Sequence, residues 1–464
     1  MRFAAIIKTG FRIKSIYKGV FILIGFAAVS LQVSAQSKNA TDTSQNLTLQ
    51  QCIDYAIQNQ PALMQSLINI SITKKTNDIA LSAWLPQVNF NANLTHYFQL
   101  PTSFATNQEN PGGPLLPVNA GLYNNSIPEL SATETIFNPS VLYAASSAHL
   151  YVKQSQQASD STKIELVASV SKAFYNLLLT IQQISVYKED TARLAKNLRD
   201  TYHQYVGGIV DKTDYKEATI TLNNSLAQLK QANLNVTPQY STLKQLMGFP
   251  PEKQFAVQFD TTQMLQEIAI DTTQQLQYQQ RIEYQELQTA KSIQSKIINY
   301  YRFEFLPNLS AFYDYNYEFE NNSFSSLYSH AYPYSLAGLT LSIPIFTGLG
   351  RIENVQKAKL QEKLLDWDDV NLKSTIYTQY ETALANYKSN LYDLHIMQTN
   401  VEMGKDVYSV VSLQYKQGIV PYLNVITAES DLITSEIGYL NALFQLLSSK
   451  IDLEKAMGTI STNH

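Results

Sequence analysis

The sequence predicts a mixed α/β membrane protein: a long α-helical coiled-coil barrel continuous with a transmembrane β-barrel that several copies of the chain must share. Three observations lead there. Ser140 to Val206 runs 67 residues without Gly or Pro, and at about 1.5 Å per residue one such helix reaches roughly 100 Å. Its seam alternates apolar spacings of three and four through Val167, Val170, Phe174, Leu177, Ile181 and Ile184, misses at Lys188 and Thr191, then resumes at Ala195, Leu198, Tyr202 and Tyr205, the signature of coiled-coil packing. The pattern then recurs. An offset of 210 carries the seam onto Tyr377, Tyr380, Leu384, Tyr387, Leu391 and Leu394, Lys188 onto Gln398, Gly208-Ile209 onto Gly418-Ile419 and Met247-Gly248 onto Met457-Gly458. Arg351 to Gln417 is again 67 residues, interrupted only by Gly404. Finally, four segments change period from 3.6 to 2, each with an apolar and a polar face.

The chain begins with an export signal over residues 1–35. Arg2, Lys8, Arg12, Lys14 and Lys18 precede the apolar Val20–Val33 and the small residues before Gln36, too short an apolar run for a spanning helix. Removing those five basic residues leaves 29 Lys and Arg against 38 Asp and Glu, a balance that argues against a nucleic-acid partner. Cys52 is the one cysteine, which excludes a disulfide framework and a cysteine metal site. Past Ala35 no apolar run reads as a spanning helix, so an exported membrane protein of this sequence crosses as a β-barrel.

The first repeat covers 36–248. A helix over Leu47–Leu85, started or kinked at Pro61, ends at Leu85-Pro86. A strand over 87–99 puts Val88, Phe90, Ala92, Leu94, His96 and Phe98 on one face and Asn89, Asn91, Asn93, Thr95, Tyr97 and Gln99 on the other, as a lipid face and a wet lumen require. Pro101–Ser126 reads as a surface loop. A strand over 127–137 has Glu129, Ser131, Thr133 and Thr135 on its polar face, with Glu134 breaking the pattern. Asn138-Pro139 opens the long helix 140–206. Gly207-Gly208 permits a reversal, and Thr213 or Asp214 caps a return helix expected to break near Pro238. Residues 249–271 form a linker.

The second repeat, 272–464, replays the plan: a helix to about Phe305, Leu306-Pro307, strands over 308–320 and 334–346, the long helix 351–417 and its return helix. The third strand has Leu309, Ala311, Tyr313, Tyr315, Tyr317 and Phe319 on one face and Asn308, Ser310, Asp314, Asn316 and Glu318 on the other, with Phe312 an exception. The fourth puts Ala337, Leu339, Leu341, Ile343 and Ile345 outward and Gly338, Thr340 and Ser342 inward. The tyrosines of these strands suit the aromatic girdles of an outer-membrane barrel. Four strands cannot close a membrane barrel, which starts at about eight. Pro61–Leu85 and Pro421–Met457, about 37 and 55 Å long, together match one long helix if stacked end to end.

The order, spacing and duplication of LTLQQCIDYAIQNQPAL from Leu47, SAWLPQVNFNANLTHYF from Ser82, LSIPIFTGLGRIENVQKAKLQ from Leu341 and YKQGIVPYLNVITAESDLITSEIGYLNA from Tyr415 resemble the TolC family of outer-membrane efflux channels over essentially the whole mature chain. The resemblance implies three chains with four strands each, twelve in all, above a periplasmic tunnel of helices in a Gram-negative-type outer membrane. It implies a homotrimer that takes substrates from a periplasmic adaptor and an inner-membrane pump of the RND or ABC type, in efflux or type I secretion, with outer-membrane lipid around it. No cofactor and no chemistry are implied. By position, Val206, Gly207, Gly208 and Ile209 with Gln417, Gly418, Ile419 and Val420 would dock the adaptor. Asp214 matches the family acid that holds the gate shut and Tyr415 its tyrosine partner, although Asp214 equally serves as a helix N-cap and Tyr415 as a seam residue. The family's gate arginine is replaced by Val420, and its two constriction acids by Asn424 and Thr427, which points to a different closure contact. Ile282 stands where Pro61 stands in the first repeat.

The competing expectation is a soluble exported coiled-coil scaffold with a capping β-sheet, which calls for charged outward strand faces. The continuous apolar stripe Leu339, Leu341, Ile343 and Ile345 opposes it. An enzyme is not expected: the six His include no pair at ligand spacing, and no phosphate loop or acid/base constellation stands out. Glu129, Asp314 and Glu318, on the wet strand faces, should favour cations in the barrel lumen.

Overall fold

The computed structural model describes residues 45–106, 112–258, 268, 270 and 275–461, all within one compact unit, Gln45–His464. The signal peptide expected over 1–35 and part of the linker lie outside the described residues.

A short strand β1 (Gln45–Leu47) leads into α1 (Leu49–Asn59). Thr48 and Gln51 cap α1 reciprocally, the Thr48 hydroxyl accepting from the Gln51 amide at 3.3 Å and the Gln51 side chain from the Thr48 amide at 2.9 Å. Pro61 does not kink this helix but begins a new one, α2 (Pro61–Leu81), with Gln60 as its cap. The strands β2 (Gln87–His96), β3 (Thr102–Ala105), β4 (Leu116–Asn119) and β5 (Asn124–Phe137) follow. Next come α3 (Pro139–Val206), α4 (Lys212–Met247) and β6 (Phe255–Val257). The second half runs α5 (Ile282–Phe303), β7 (Asn308–Asn321), β8 (Tyr332–Ser342), α6 (Gly350–Lys416) and α7 (Tyr422–Met457).

Several boundaries differ from the sequence expectation for stated physical reasons. The loop 101–126 contains a ribbon of its own, β3 paired antiparallel with β4. The linker is not featureless: β6 pairs parallel with β1. α4 passes through Pro238 unbroken, since one lost hydrogen bond bends a packed helix rather than ending it. α5 starts ten residues later than expected, because Arg281 is held extended by its bonds to the Ala456 carbonyl, Gln379 and Glu283. β8 stops at Ser342, before Pro344, so Ile343 and Ile345 lie beyond the strand although both are exposed.

β2, β5, β7 and β8 form one antiparallel sheet in that order. Pro128 interrupts the β5–β7 ladder without changing register, whereas Ile136 is bulged between Thr135 and Phe137. The two exceptions to strand alternation find explanations here. Phe312 lies across from Gly338, and a Cβ on Gly338 would come within 2.7 Å of its ring, so the aromatic side chain covers the glycine gap. Glu134 is an exposed acid level with Ala311 and Leu339, close to the bulge and the helix-proximal end of the sheet.

α3 packs along α2 and α5 in its upper part and along α4 and α7 below, while α6 packs on α5 and α7. The short helices stack within each half, α2 over α4 and α5 over α7, rather than across halves as Pro61–Leu85 on Pro421–Met457. Each junction is an elbow at a left-handed glycine: Gly248 (φ 66°) lies against Asn59 and Gln60, and Gly458 (φ 75°) against Gln280 and Arg281. Around these elbows sits the main apolar core, drawn from α1, the middle of α3, the upper ends of α4 and α7, and the middle of α6. Val167, Val170, Phe174 and Leu177 are buried in it, whereas the second-repeat seam residues Tyr377 and Leu391 are exposed. α3 also holds an 18-residue window apolar enough to cross a membrane, which the sequence reading missed; just over half of it is buried inside the chain.

Candidate functional site at the helix tips

The two tips are built by the same hydrogen-bond pattern. Ile209 N–H donates to the Gln204 carbonyl at 2.8 Å and Gly208 N–H to that of Tyr205 at 3.0 Å; at the second tip Ile419 donates to Gln414 and Gly418 to Tyr415, both at 2.9 Å. This paired closure needs one residue with positive φ, and Gly208 (φ 70°) and Gly418 (φ 72°) supply it. Gly207 is helical with φ −76°, as is fitting for a position that is Gln417 in the other half. Only one of the paired glycines is therefore needed for the reversal. Val206, Ile209 and Ile419 point their apolar side chains into solvent at 67%, 76% and 64% exposure, and Val420 is half-buried.

Neither Thr213 nor Asp214 caps α4. Asp211 holds that position without a side-chain bond, and Asp214 lies in the first turn, where its charge suits the helix dipole. The Tyr415 hydroxyl donates not to Asp214 but to Gln204 Oε1 at 2.6 Å, joining α6 to α3. Burial pushes the Tyr415 phenol up, and the nearby Asp214 and Asp200 carboxylates add to the rise. Its ring packs on Tyr422, 5.3 Å between centroids. Tyr422 is buried with Ala218 and Val425 in a small tip core flanked by Leu198, Tyr408 and Val411. Asn424 and Thr427 are exposed, Thr427 bonding only back to the Leu423 carbonyl, so the fold does not bring them to the Tyr415 contact.

About 20 Å above the turns lies a polar cluster absent from the sequence reading. Asp190, Arg193 and Asn197 come from α3, Ser225 from α4, and Glu429 and Glu436 from α7. Asp190 and Glu429 are 0% and 1% exposed. Arg193 Nε donates to Glu429 Oε1 at 3.4 Å, with its Nη2 3.6 Å from Asp190 and 4.0 Å from Glu436. Asn197 donates to Glu429 Oε2 at 3.1 Å and Ser225 to Asp190 Oδ2 at 2.5 Å. The missed seam positions Lys188 and Thr191 flank Asp190 and were its one visible signal.

In the sheet, Glu129 lies opposite Asn316, Asp314 opposite Ser131, and Glu318 opposite Tyr332. Asn125 donates to Glu318 at 3.3 Å and to Glu320 at 2.8 Å. Glu320, the last residue of the expected strand, joins the same face opposite Asn125, and β7 runs one residue further to Asn321. Among the described residues no cluster of His, Cys, Asp and Glu is arranged to hold a metal ion.

Residues 52–249 and 285–459 match the sequence model of the family described as outer membrane efflux protein. The outer membrane protein TolC of Vibrio cholerae is 19% identical over 419 residues, 89% of this chain and 91% of its own. The probable efflux pump outer membrane protein TtgC of Pseudomonas putida is 22% identical over 309 residues, 66% of this chain and 62% of that protein. Among solved structures, CusC superposes with a TM-score of 0.72 at 16% identity over 89% of this chain and 92% of that one. The Campylobacter jejuni CmeC outer membrane channel gives 0.70 at 16% identity over 96% and 95%. Long duplicated helices, a four-stranded antiparallel sheet and glycine-closed tips thus occur in a sequence matched through most of both halves, and the chain belongs to the outer membrane efflux protein family.

Proposed function

We propose that three copies of this chain form an outer-membrane exit duct, receiving substrates from a periplasmic adaptor and an inner-membrane pump of the RND or ABC type. The observation that carries this reading is the sheet. Among the described residues its edge strands β2 and β8 have no outer neighbour, and Val88, Phe90, Leu94, Leu339 and Leu341 are exposed on it. Open edges and an apolar face are tolerated when further copies close the sheet into a barrel with lipid outside. The exposed stripe is also what a soluble scaffold would avoid.

In this reading the turns Val206–Ile209 and Gln417–Val420 receive the adaptor, their exposed valine and isoleucines offering apolar knobs. Closure rests on Tyr415 and Gln204, with Asp214 adding charge beside the phenol and Asn424 and Thr427 lining the space between chains. Glu129, Asp314 and Glu318 face the lumen, joined by Glu320. The duct itself performs no chemistry. The test is the mass and membrane fraction of the detergent-extracted protein. A heat-sensitive trimer in the outer membrane is expected; a soluble monomer or dimer would overturn the reading.

A further inference from the structure

The Arg193 cluster is the place where polar side chains tie both hairpins, α3–α4 and α6–α7, to one another between the main core and the tip core. It is poorly balanced. Three acids surround one guanidinium, whose nearest contact is 3.4 Å. Asp190 Oδ1 and Arg193 Nη2 are buried and make no hydrogen bond. Two fully buried carboxyls and a third beside them, set around a single guanidinium, leave an excess of acid that one bound proton would offset. At nearly the same height, Gly404 lets α6 press on α7, its Cβ position 3.4 Å from Leu432 Cα.

We propose that Asp190, Arg193 and Glu429 form a proton-operated clamp, which holds the α6–α7 hairpin against α3 while Glu429 is protonated and loosens it when Glu429 ionises. The groups facing Glu429 are Asp190, Arg193 and Asn197 from α3, Tyr408 from α6 and Tyr422 from α7. Around them stand Tyr187 and Glu189 of α3, Lys405 of α6 and Glu436 of α7, while α4 contributes the Ser225 hydroxyl. Burial, then the Asp190 carboxylate, push Glu429 from 4.5 up to about 7, with Arg193 and Asn197 opposing. A carboxyl raised by docking stabilises the docked state fully below its ordinary value, and that contribution is lost as pH rises through about 7. Neutral and alkaline pH therefore favour a loosened tip.

The consequence for conduction rests on the duct reading; the clamp itself does not. Hydrogen exchange across Tyr408–Leu432 of the full protein in lipid nanodiscs, corrected for the intrinsic chemical rate, should show protection falling at least about tenfold between pH 5.5 and 8.5. Glu429→Gln should keep the acid-like protection throughout, and Asp190→Asn should move the midpoint to lower pH. Wild-type protection independent of pH, or an unchanged midpoint in Asp190→Asn, would overturn the clamp, and the latter decides even if Glu429→Gln does not fold. In planar bilayers the same preparations should conduct more at pH 8.5 than at 5.5. Absence of any conductance with pH-dependent protection intact would sink the duct reading alone, and conductance with pH-flat protection the clamp alone.

Discussion

Gly248 and Gly458 are the residues with least latitude. Each combines positive φ with backbone so close that a Cβ on Gly248 would fall 2.6 Å from the Asn59 carbonyl oxygen, and one on Gly458 2.8 Å from that of Gln280. Gly248→Ala is expected to cost about 2 kcal/mol, read as a lower denaturant midpoint by circular dichroism. Gly207→Ala, at a helical φ, should leave that midpoint unmoved. Tyr415→Phe removes the bond to Gln204 while keeping the packing on Tyr422. With about 1 kcal/mol for that bond, the open fraction of the tip should rise about fivefold, visible as a higher resting conductance at fixed pH.

At the level of elements, a single arginine on the outward face of a strand is the sharpest probe. Leu339 is 69% exposed in β8, and Leu339→Arg near the middle of a bilayer should cost about 2–4 kcal/mol, seen as reduced trimer yield in membranes, whereas Thr340→Arg on the other face should be tolerated. Period-2 alternation made the strands legible, and long stretches with no Pro and, in α6, a single internal Gly made α3 and α6 legible almost to the residue. What the sequence hid was long-range. Nothing near Arg281 announces that Ala456 and Gln379 will hold it extended and delay α5, and nothing near Phe255 announces Gln45 as a strand partner. At the tips the glycine positions were readable, since 208 and 418 are related by the duplication. The partner of Tyr415 was not, because Gln204 lies 211 residues away. The buried acids were hidden in the same way: Asp190 and Glu429 look like surface charges until four helices enclose them.

For the whole molecule, the chain's acids matter through their distribution. Glu129, Asp314, Glu318 and Glu320 are gathered on one face of the sheet, and a barrel assembled from three copies would repeat them around a single lumen. Reversal potentials in a potassium chloride gradient should favour potassium severalfold. The combined change Glu129→Gln, Asp314→Asn, Glu318→Gln and Glu320→Gln should bring the permeabilities close to equal.

The glycine elbows give the molecule two kinds of column. α3 and α6 run unbroken, α3 into β5 above and both into the tips, so they behave as stiff struts along which an axial twist at the tip reaches the barrel. The columns beside them are spliced at mid-height, α4 meeting α2 at Gly248 and α7 meeting α5 at Gly458, where among the described residues no backbone hydrogen bond crosses the joint. A twist entering through α4 or α7 can therefore be spent at the splice as a small rotation between stacked helix ends. Two of the four long columns that reach the tips thus carry a joint at mid-height and two do not, so a rotation confined to α4 or α7 would be taken up below the strands, whereas one shared by α3 and α6 would be passed on to them.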